Sequence, residues 1–249
     1  MEDKFESAAL LMPTVALRGL VVFPGMQVHF DVGREKSIDA LKAALAGDRK
    51  IFLTAQKDIA VDDPDFNDLY KLGVVATVSR VAKLPGEGDI VRVSVKGMYR
   101  ARLNGIVSSE PHLVGAIRAC AIRKYDRENE YGQALIRSAK SIFEGYAQSA
   151  PQLSPDVVLA VLGFDHPGDM ADFIAGNIAL EFSDRQSVLE ELDPIKRLEK
   201  LCVLLLKESR LLEYEGEIQE MVQKQMDDSQ REYYLREQLK VISSQLNNG

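Results

Sequence analysis

One stretch constrains this chain more than any other. After Asp193-Pro194 no proline appears before residue 249. The pair itself is a helix start: Asp caps free backbone N–H groups, and Pro fits the first turn. As one helix, the stretch from Ile195 to Leu246 would span roughly 80 Å. Its apolar positions are dense at first (Leu198, Leu201, Leu204, Leu205, Leu211, Leu212) and then thin to Ile218, Met221, Val222 and Met226. They return as Leu235, Leu239, Ile242 and Leu246, at helical spacing. Helices of globular domains are rarely this long, so the pattern predicts a coiled-coil or projecting arm. Gly216 costs a helix about 1 kcal/mol against Ala and marks where the arm would bend or break.

The chain ahead of the arm divides in two. Residues 1–122 read as strands. Pro13–Leu17, Val28–Val32, Ile51–Ala55 and Val74–Val81 are short apolar or β-branched runs. Val91 to Lys96 alternates with period two, the mark of a strand with one buried face. Arg100–Val107 and Leu113–Ile122 continue the series. Pro24-Gly25, Pro85-Gly86-Glu87-Gly88 and Asn104-Gly105 are the expected turns. One helix interrupts, Arg34–Ala46, with Ile38, Leu41 and Leu45 at helical spacing and Gly47 as its stop. Short strands with regular turns predict a small closed or half-closed β-barrel.

Residues 123–192 read as helices. Leu135, Ala139, Ile142, Phe143 and Tyr146 form one stripe. Ser154-Pro155-Asp156 caps and opens a second helix, which runs to Gly163. Asp169–Ile178 is a third. Ser183 with Gln186 is a capping-box pattern for a fourth, carrying Val188, Leu189 and Leu192. The predicted class is therefore α+β: barrel, helical bundle, long carboxy-terminal helix.

Composition limits function. A hydrophobic share of 46% is enough for a real core. The net charge of −7 argues against nucleic acid as the main partner. The first residues, Met1 to Glu6, are charged and unlike a signal peptide. No apolar run approaches the roughly 18 to 20 residues of a membrane helix. Cys120 and Cys202 lie in dissimilar contexts, which fits a reducing cytoplasm better than a disulfide framework.

No catalytic signature is present. There is no phosphate-binding Gly-x-x-x-x-Gly-Lys-Ser/Thr loop and no Gly-x-Ser-x-Gly elbow. His29, His112 and His166 are scattered, without companions at metal-ligand spacing. Cys120, in an alternating strand, reads as a small core residue. Asp62-Asp63-Pro64-Asp65 with Asp68 lacks the closing Glu of a calcium loop and reads as a solvated turn.

Two segments carry a resemblance. The first is Met12-Pro13-Thr14-Val15-Ala16-Leu17-Arg18-Gly19-Leu20-Val21-Val22-Phe23-Pro24-Gly25; the second is Arg231-Glu232-Tyr233-Tyr234-Leu235-Arg236-Glu237-Gln238-Leu239-Lys240. They resemble, in that order, the opening of the amino-terminal region of Lon-type ATP-dependent proteases and the long helix that precedes their ATPase module. Ala171 to Ala175 and Arg197 to Leu212 are similar to the helical region between. Met12 stands where Leu is usual. The resemblance implies a PUA-like barrel over 1–122, a bundle over 123–192 and an arm over 193–249. It also implies a cytoplasmic, hexameric family whose amino-terminal region engages unfolded or damaged proteins. A complete subunit of that family continues into an ATPase and a Ser-Lys protease domain. This chain is thus expected to be a non-catalytic fragment, with ATP and Mg belonging to the module it lacks.

A receptor for unfolded proteins needs exposed, adaptable apolar surface, and Met suits that use. The sequence offers Pro24 and Met26 in one turn, Leu84 and Pro85 at a hairpin tip, and Met98 and Tyr99 after Gly97. The plainer reading makes Phe23 and Met98 core. On the arm, Met221, Met226, Tyr233 and Tyr234 face either clients, a neighbouring arm or their own subunit. Two rivals remain. One is a PUA-like RNA-binding protein, with Lys83, Arg92, Lys96, Arg100 and Arg102 as its basic face. The other is a coiled-coil scaffold that binds no client.

Overall fold

The structure, a computed structural model, describes residues 9–83 and 89–247, with side chains described as far as residue 243. Six strands form one sheet: β1 (Leu10–Leu17), β2 (Gln27–Val32), β3 (Lys50–Ala55), β4 (Leu72–Lys83), β5 (Val91–Ser108) and β6 (Val114–Ala119). Their order is β2-β5-β4-β3-β1-β6, and β5 pairs with β6 as well. The pairings β5-β4-β3-β1-β6-β5 therefore run round in a ring, with β2 attached outside it. Only β1 and β3 pair in parallel. The connection between them carries helix α1 (Glu35–Ala46), which packs on both strands. Its buried stripe is Ser37, Ala40, Leu41 and Ala44, while the expected Leu45 stays exposed.

The length of β5 is what makes the ring possible. The sequence predicts two strands here, Val91–Lys96 and Arg100–Val107, with a turn at Asn104-Gly105. Instead one strand of 18 residues runs through. Gly105 falls at a register shift against β6, between Leu103 and Gly105, so the Asn-Gly pair bends the strand rather than reversing it. A second shift follows between Ile106 and Ser108.

The strands β1, β3 and β4 are apolar on both faces, and both faces are buried over most of their length. Val15, Leu17, Ile51, Leu53, Val74 and Ala76 join the main core. The alternate residues Met12, Ala16, Phe52 and Val75 join Leu69, Ala101, Leu103 and Ile117 in a smaller cluster on the other side. A strand buried twice shows a continuous apolar run rather than alternation.

The helical part comprises α2 (Glu130–Ser149), α3 (Pro155–Leu162), α4 (Pro167–Asn177), α5 (Phe182–Glu190) and α6 (Pro194–Asn247). Ser154 caps α3 as its sequence predicts, accepting from the Asp156 N–H at 3.3 Å. The predicted capping box of α5 does not form. Its N-cap is Glu181, without a side-chain bond, and Ser183 lies inside the helix. Gln186 turns instead into the sheet and donates to the Leu72 carbonyl at 3.1 Å. Ile136, Ala139, Phe143 and Tyr146 of α2 are buried in the same core as the strand residues above.

One polar cluster crosses the junction. Arg100 on β5 donates to both carboxylate oxygens of Asp172 on α4, and Arg197 on α6 donates to the same carboxylate at 3.1 Å. Arg100 also reaches the Leu189 carbonyl, and Arg197 the Glu191 carbonyl, each at 2.8 Å.

Helix α6 starts where Asp193-Pro194 predicts. The Asp193 carboxylate accepts from the N–H groups of Ile195 and Lys196 at 3.0 and 3.3 Å. Leu198, Leu201 and Leu205 are fully buried against the bundle. Of residues 213–243, all but Glu237 are exposed. The helix passes Gly216 without a break. No helix among the described residues is long and apolar enough to cross a membrane.

Candidate functional site

Phe23 fixes the site. It is fully buried, and its ring anchors the turn that follows. Gly25 has φ 78°, a left-handed conformation that L side chains rarely adopt. The turn is stitched to β5 by Gly25 N–H to Gly97 O and Gly97 N–H to Met26 O, both 2.9 Å. At Gly97 the approach is so close that a Cβ would stand 2.2 Å from the Phe23 carbonyl oxygen. Only glycine permits the turn to lie on the strand there.

The result is display. Pro24 and Met26 are half-buried, and Met98, next after Gly97, is 46% exposed. Met98 is therefore not core, while Phe23 is. The Thr77 hydroxyl donates to the Met98 sulfur at 2.9 Å, which fixes the thioether at the surface.

Helix α4 supplies the opposite wall. The rings of Phe164 and Phe173 pack with centroids 5.1 Å apart. Gly176 lies against Met26, whose sulfur would be 3.5 Å from a Cβ placed there. Between the walls runs a cleft of about 590 Å³, lined by Pro24, Met26, Met98, Phe164 and Phe173 with Gln27, Asp169 and Asn177 among its polar groups. Volumes of this order admit a large side chain or a short peptide segment.

Three of the six loop candidates, Pro24, Met26 and Met98, thus meet in one groove. Tyr99 lies in an adjoining depression with Lys96 and Gly97, and packs against the smaller apolar cluster. Leu84 and Pro85 lie outside the described residues. Phe164 and Phe173 were not foreseen. Phe173 sits within the Ala171–Ala175 segment, but helical spacing does not tell a groove wall from core. On the arm, Met221, Met226, Tyr233 and Tyr234 are 53–68% exposed, and none of them lines the groove.

The remaining chemistry is structural. His166 caps α4 through Nδ1, and His29 Nδ1 shares a hydrogen bond with Ser94. Among the described residues no group of His, Cys, Asp or Glu is placed to hold a metal ion. Burial pushes the Cys120 thiol above its ordinary range and that of Cys202 up to about 11. Neither is a thiolate at neutral pH, so neither is a poised nucleophile. Asp62 pairs with Arg18, and Asp63 with Lys36, as befits a solvated turn. The five basic residues of the RNA reading are not all at the surface. Arg100 is buried in the ion cluster, and Arg92 pairs with Asp31.

Residues 12–207 match the family described as the ATP-dependent protease La (LON) substrate-binding domain. The chain belongs to that family. Lon protease of Syntrophomonas wolfei is 39% identical over 235 residues, which is 94% of this chain but 28% of that protein. Lon protease of Escherichia coli K12 is 39% identical over 240 residues, 96% of this chain and 30% of the relative. The chain thus spans less than a third of the Lon proteases it matches. What it matches is a substrate-binding domain, not a protease or ATPase domain. Solved Lon amino-terminal domains share the fold. That of the Mycobacterium avium complex superposes with TM-score 0.63 at 19% identity, covering 79% of this chain and 98% of its own. That of Xanthomonas campestris gives 0.55 at 17% identity, covering 78% and 98%.

Proposed function

We propose that this chain is the substrate-recognition and assembly module of a Lon-type ATP-dependent protease, and that its groove takes exposed apolar segments of unfolded or damaged proteins. The observation that carries this is the groove itself: two methionines, two phenylalanines and a proline on the surface, held open by glycine-dependent backbone contacts. Surface apolar clusters of this kind mark interaction sites, and thioethers adapt to varied side chains. Backbone-fixed walls keep the groove from collapsing on itself when empty.

In this reading the strand ring is the PUA-like barrel, spanning 1–122, with the bundle at 123–192 and the arm at 193–249. The arm engages neighbouring subunits of a hexamer in the cytoplasm. ATP and Mg are handled by an ATPase module beyond this region, and captured clients pass from groove to that module. The exposed arm, rather than the groove, supports the assembly half.

The test is binding of one small protein in its folded form and in a destabilised form, followed by NMR on this chain. Selective binding of the destabilised form, with shifts at Met26, Met98 and Phe173, is the expected result. A Met26→Ser, Met98→Ser protein that folds normally yet binds the destabilised form unchanged overturns the groove reading.

A further inference from the structure

Strand β2 has an open edge. Among the described residues it pairs with β5 alone, so one of its two sides carries no neighbouring strand. The Gly97 N–H donates to the Met26 carbonyl at 2.9 Å, which sets the parity of the ladder. In an antiparallel pair, bonded and non-bonded positions alternate. Val28 and Phe30 therefore exchange bonds with Val95 and Val93, their register partners, and the backbone N–H and C=O groups of Gln27, His29 and Asp31 point the other way. Among the described residues no backbone bond from beyond β5 reaches these groups. All three residues are exposed.

Edge strands are commonly blunted by proline, lysine or a bulge. The six residues of β2, Gln27-Val28-His29-Phe30-Asp31-Val32, include no proline and no lysine, and their register against β5 is unbroken. The exposed side chains of His29 and Asp31 reach back toward β5. His29 Nδ1 meets Ser94 Oγ at 2.6 Å, and the Asp31 carboxylate accepts from Arg92 at 2.7 and 2.8 Å. Ser94 and Arg92 are the register partners of those same residues, so both side chains lean away from the edge and leave it clear. A cavity lies at each end. Gln27 lines the groove described above, together with Met26. Asp31 meets a second cavity of about 350 Å³, walled by Phe30, Asp31 and Val32 on one side and by Ala16, Leu17 and Arg18 at the end of β1 on the other. From Gln27 to Asp31 the strand spans roughly 13 Å.

We infer that an extended segment of an unfolded client adds to β2 as a further strand, its main chain bonded to Gln27, His29 and Asp31. This deepens the client-binding half of the function proposed above and rests on it. The chemistry of the edge selects the occupant. Alternating N–H and C=O groups at strand spacing match another extended backbone, and a folded protein keeps its own backbone groups engaged. Main-chain bonding is blind to side chains, so it gives affinity for many sequences, while the groove selects an apolar residue at one end. The edge thus separates unfolded from folded chains, and the groove separates one segment from another.

Amide hydrogen exchange, read by NMR on this chain with and without the destabilised small protein, tests the edge directly. In the free chain His29 and Asp31 should exchange quickly, and Val28 and Phe30 slowly. Bound client should slow His29 and Asp31 by about tenfold or more. Fast exchange at both, in a complex that still shifts Met26 and Met98, overturns strand addition and leaves the groove reading standing. No binding of the destabilised form sinks both. Slow exchange of His29 in the chain alone, relieved by dilution, means that a second copy pairs on the edge and overturns the client as its occupant. His29→Pro removes an outward N–H and no bond to β5, so the strand should keep its pairing. It should weaken client binding about tenfold or more, through the lost bond and the ring placed on the edge. Ser94→Ala loses the same His29 contact without touching the edge, and should bind as the parent chain does. A folded His29→Pro protein that binds the client unchanged overturns the proposal, and so does equal weakening by Ser94→Ala.

Discussion

Arg100 and Asp172 form a two-pronged ion pair across the junction of sheet and bundle, with both N–O distances 2.6 Å. The guanidinium is fully buried and the carboxylate side chain 5% exposed. Arg197 shares the same carboxylate, so two cations surround one anion, and backbone carbonyls of Leu189 and Glu191 take up further donors. The two walls of the groove are tied together through this cluster, since Met98 stands two residues before Arg100 and Phe173 one after Asp172.

Asp172→Asn should therefore be more damaging than Arg100→Met. The first leaves two buried guanidinium groups with no counter-charge, a loss of about 3–5 kcal/mol. The second leaves Asp172 paired with Arg197, and the buried charge sums to zero. Thermal or urea unfolding of the two variants checks the order. Equal destabilisation would mean that Arg197 does not take over the carboxylate.

Gly97→Ala should separate the turn from β5. The added methyl meets the backbone oxygen of Phe23, not the tip of a side chain, so the turn must move. Gly25→Ala has open space around it and suffers only its left-handed φ, a strain of about 1–2 kcal/mol. Gly97→Ala should cost more stability than Gly25→Ala, and should displace the amide resonances of Met26 and Met98. Calorimetry with a two-dimensional NMR spectrum of each variant tests both statements.

The arm and its start were legible because their signals are local: Asp193-Pro194 specifies a cap, and an unbroken proline-free run specifies a helix. The β5 bend was not legible, because Asn104-Gly105 serves a turn or a bulge equally well, and only pairing with β6 decides between them. Ser183 and Gln186 misled for a related reason. A capping box is a pattern of side chains, and the carbonyl of Leu72, far away in sequence, outcompeted it for Gln186. The turn Phe23 to Met26 could be named from its residues, yet its opposite wall could not. Phe164 and Phe173 are ordinary apolar residues until α4 is set against β5, and the buried Arg100–Asp172 pair that sets it there is a contact between residues far apart in sequence. Arg100 itself was counted as surface charge.

Cys202 gives the protein a pH limit on the alkaline side. Burial raises its thiol from 9.0 to about 11 in the folded chain. A raised acid holds its proton in the folded state after the unfolded state has released it. The stability it contributes is thus whole below pH 9 and is lost as pH rises toward 11. Tm should fall across that window, and Cys202→Val should flatten part of the fall. In native protein at pH 8, iodoacetamide should reach the partly exposed Cys120 first and Cys202 only on unfolding. Mass spectrometry after timed quenching distinguishes the two. Rapid native labelling of Cys202 would show that the α6 packing opens far more readily than its burial implies.

Gly216→Ala tests whether the arm is a rigid lever. The helix runs through Gly216 with no neighbour within 4 Å of a would-be Cβ, so nothing in the chain requires a glycine there. Ala should strengthen the local helix by about 1 kcal/mol. The arm beyond Leu212 is solvated, so this gain should appear as slower amide exchange in roughly the two turns around residue 216, with Tm of the bundle nearly unchanged. If the arm acts by holding a fixed direction, stiffening it should preserve or strengthen self-association. If Gly216 is a hinge on which the arm must fold back to meet its partner, the same substitution should weaken association while raising local protection. Exchange rates and association measured on one variant therefore separate a lever from a hinge, because the two predict opposite signs for association at the same gain in helix stability.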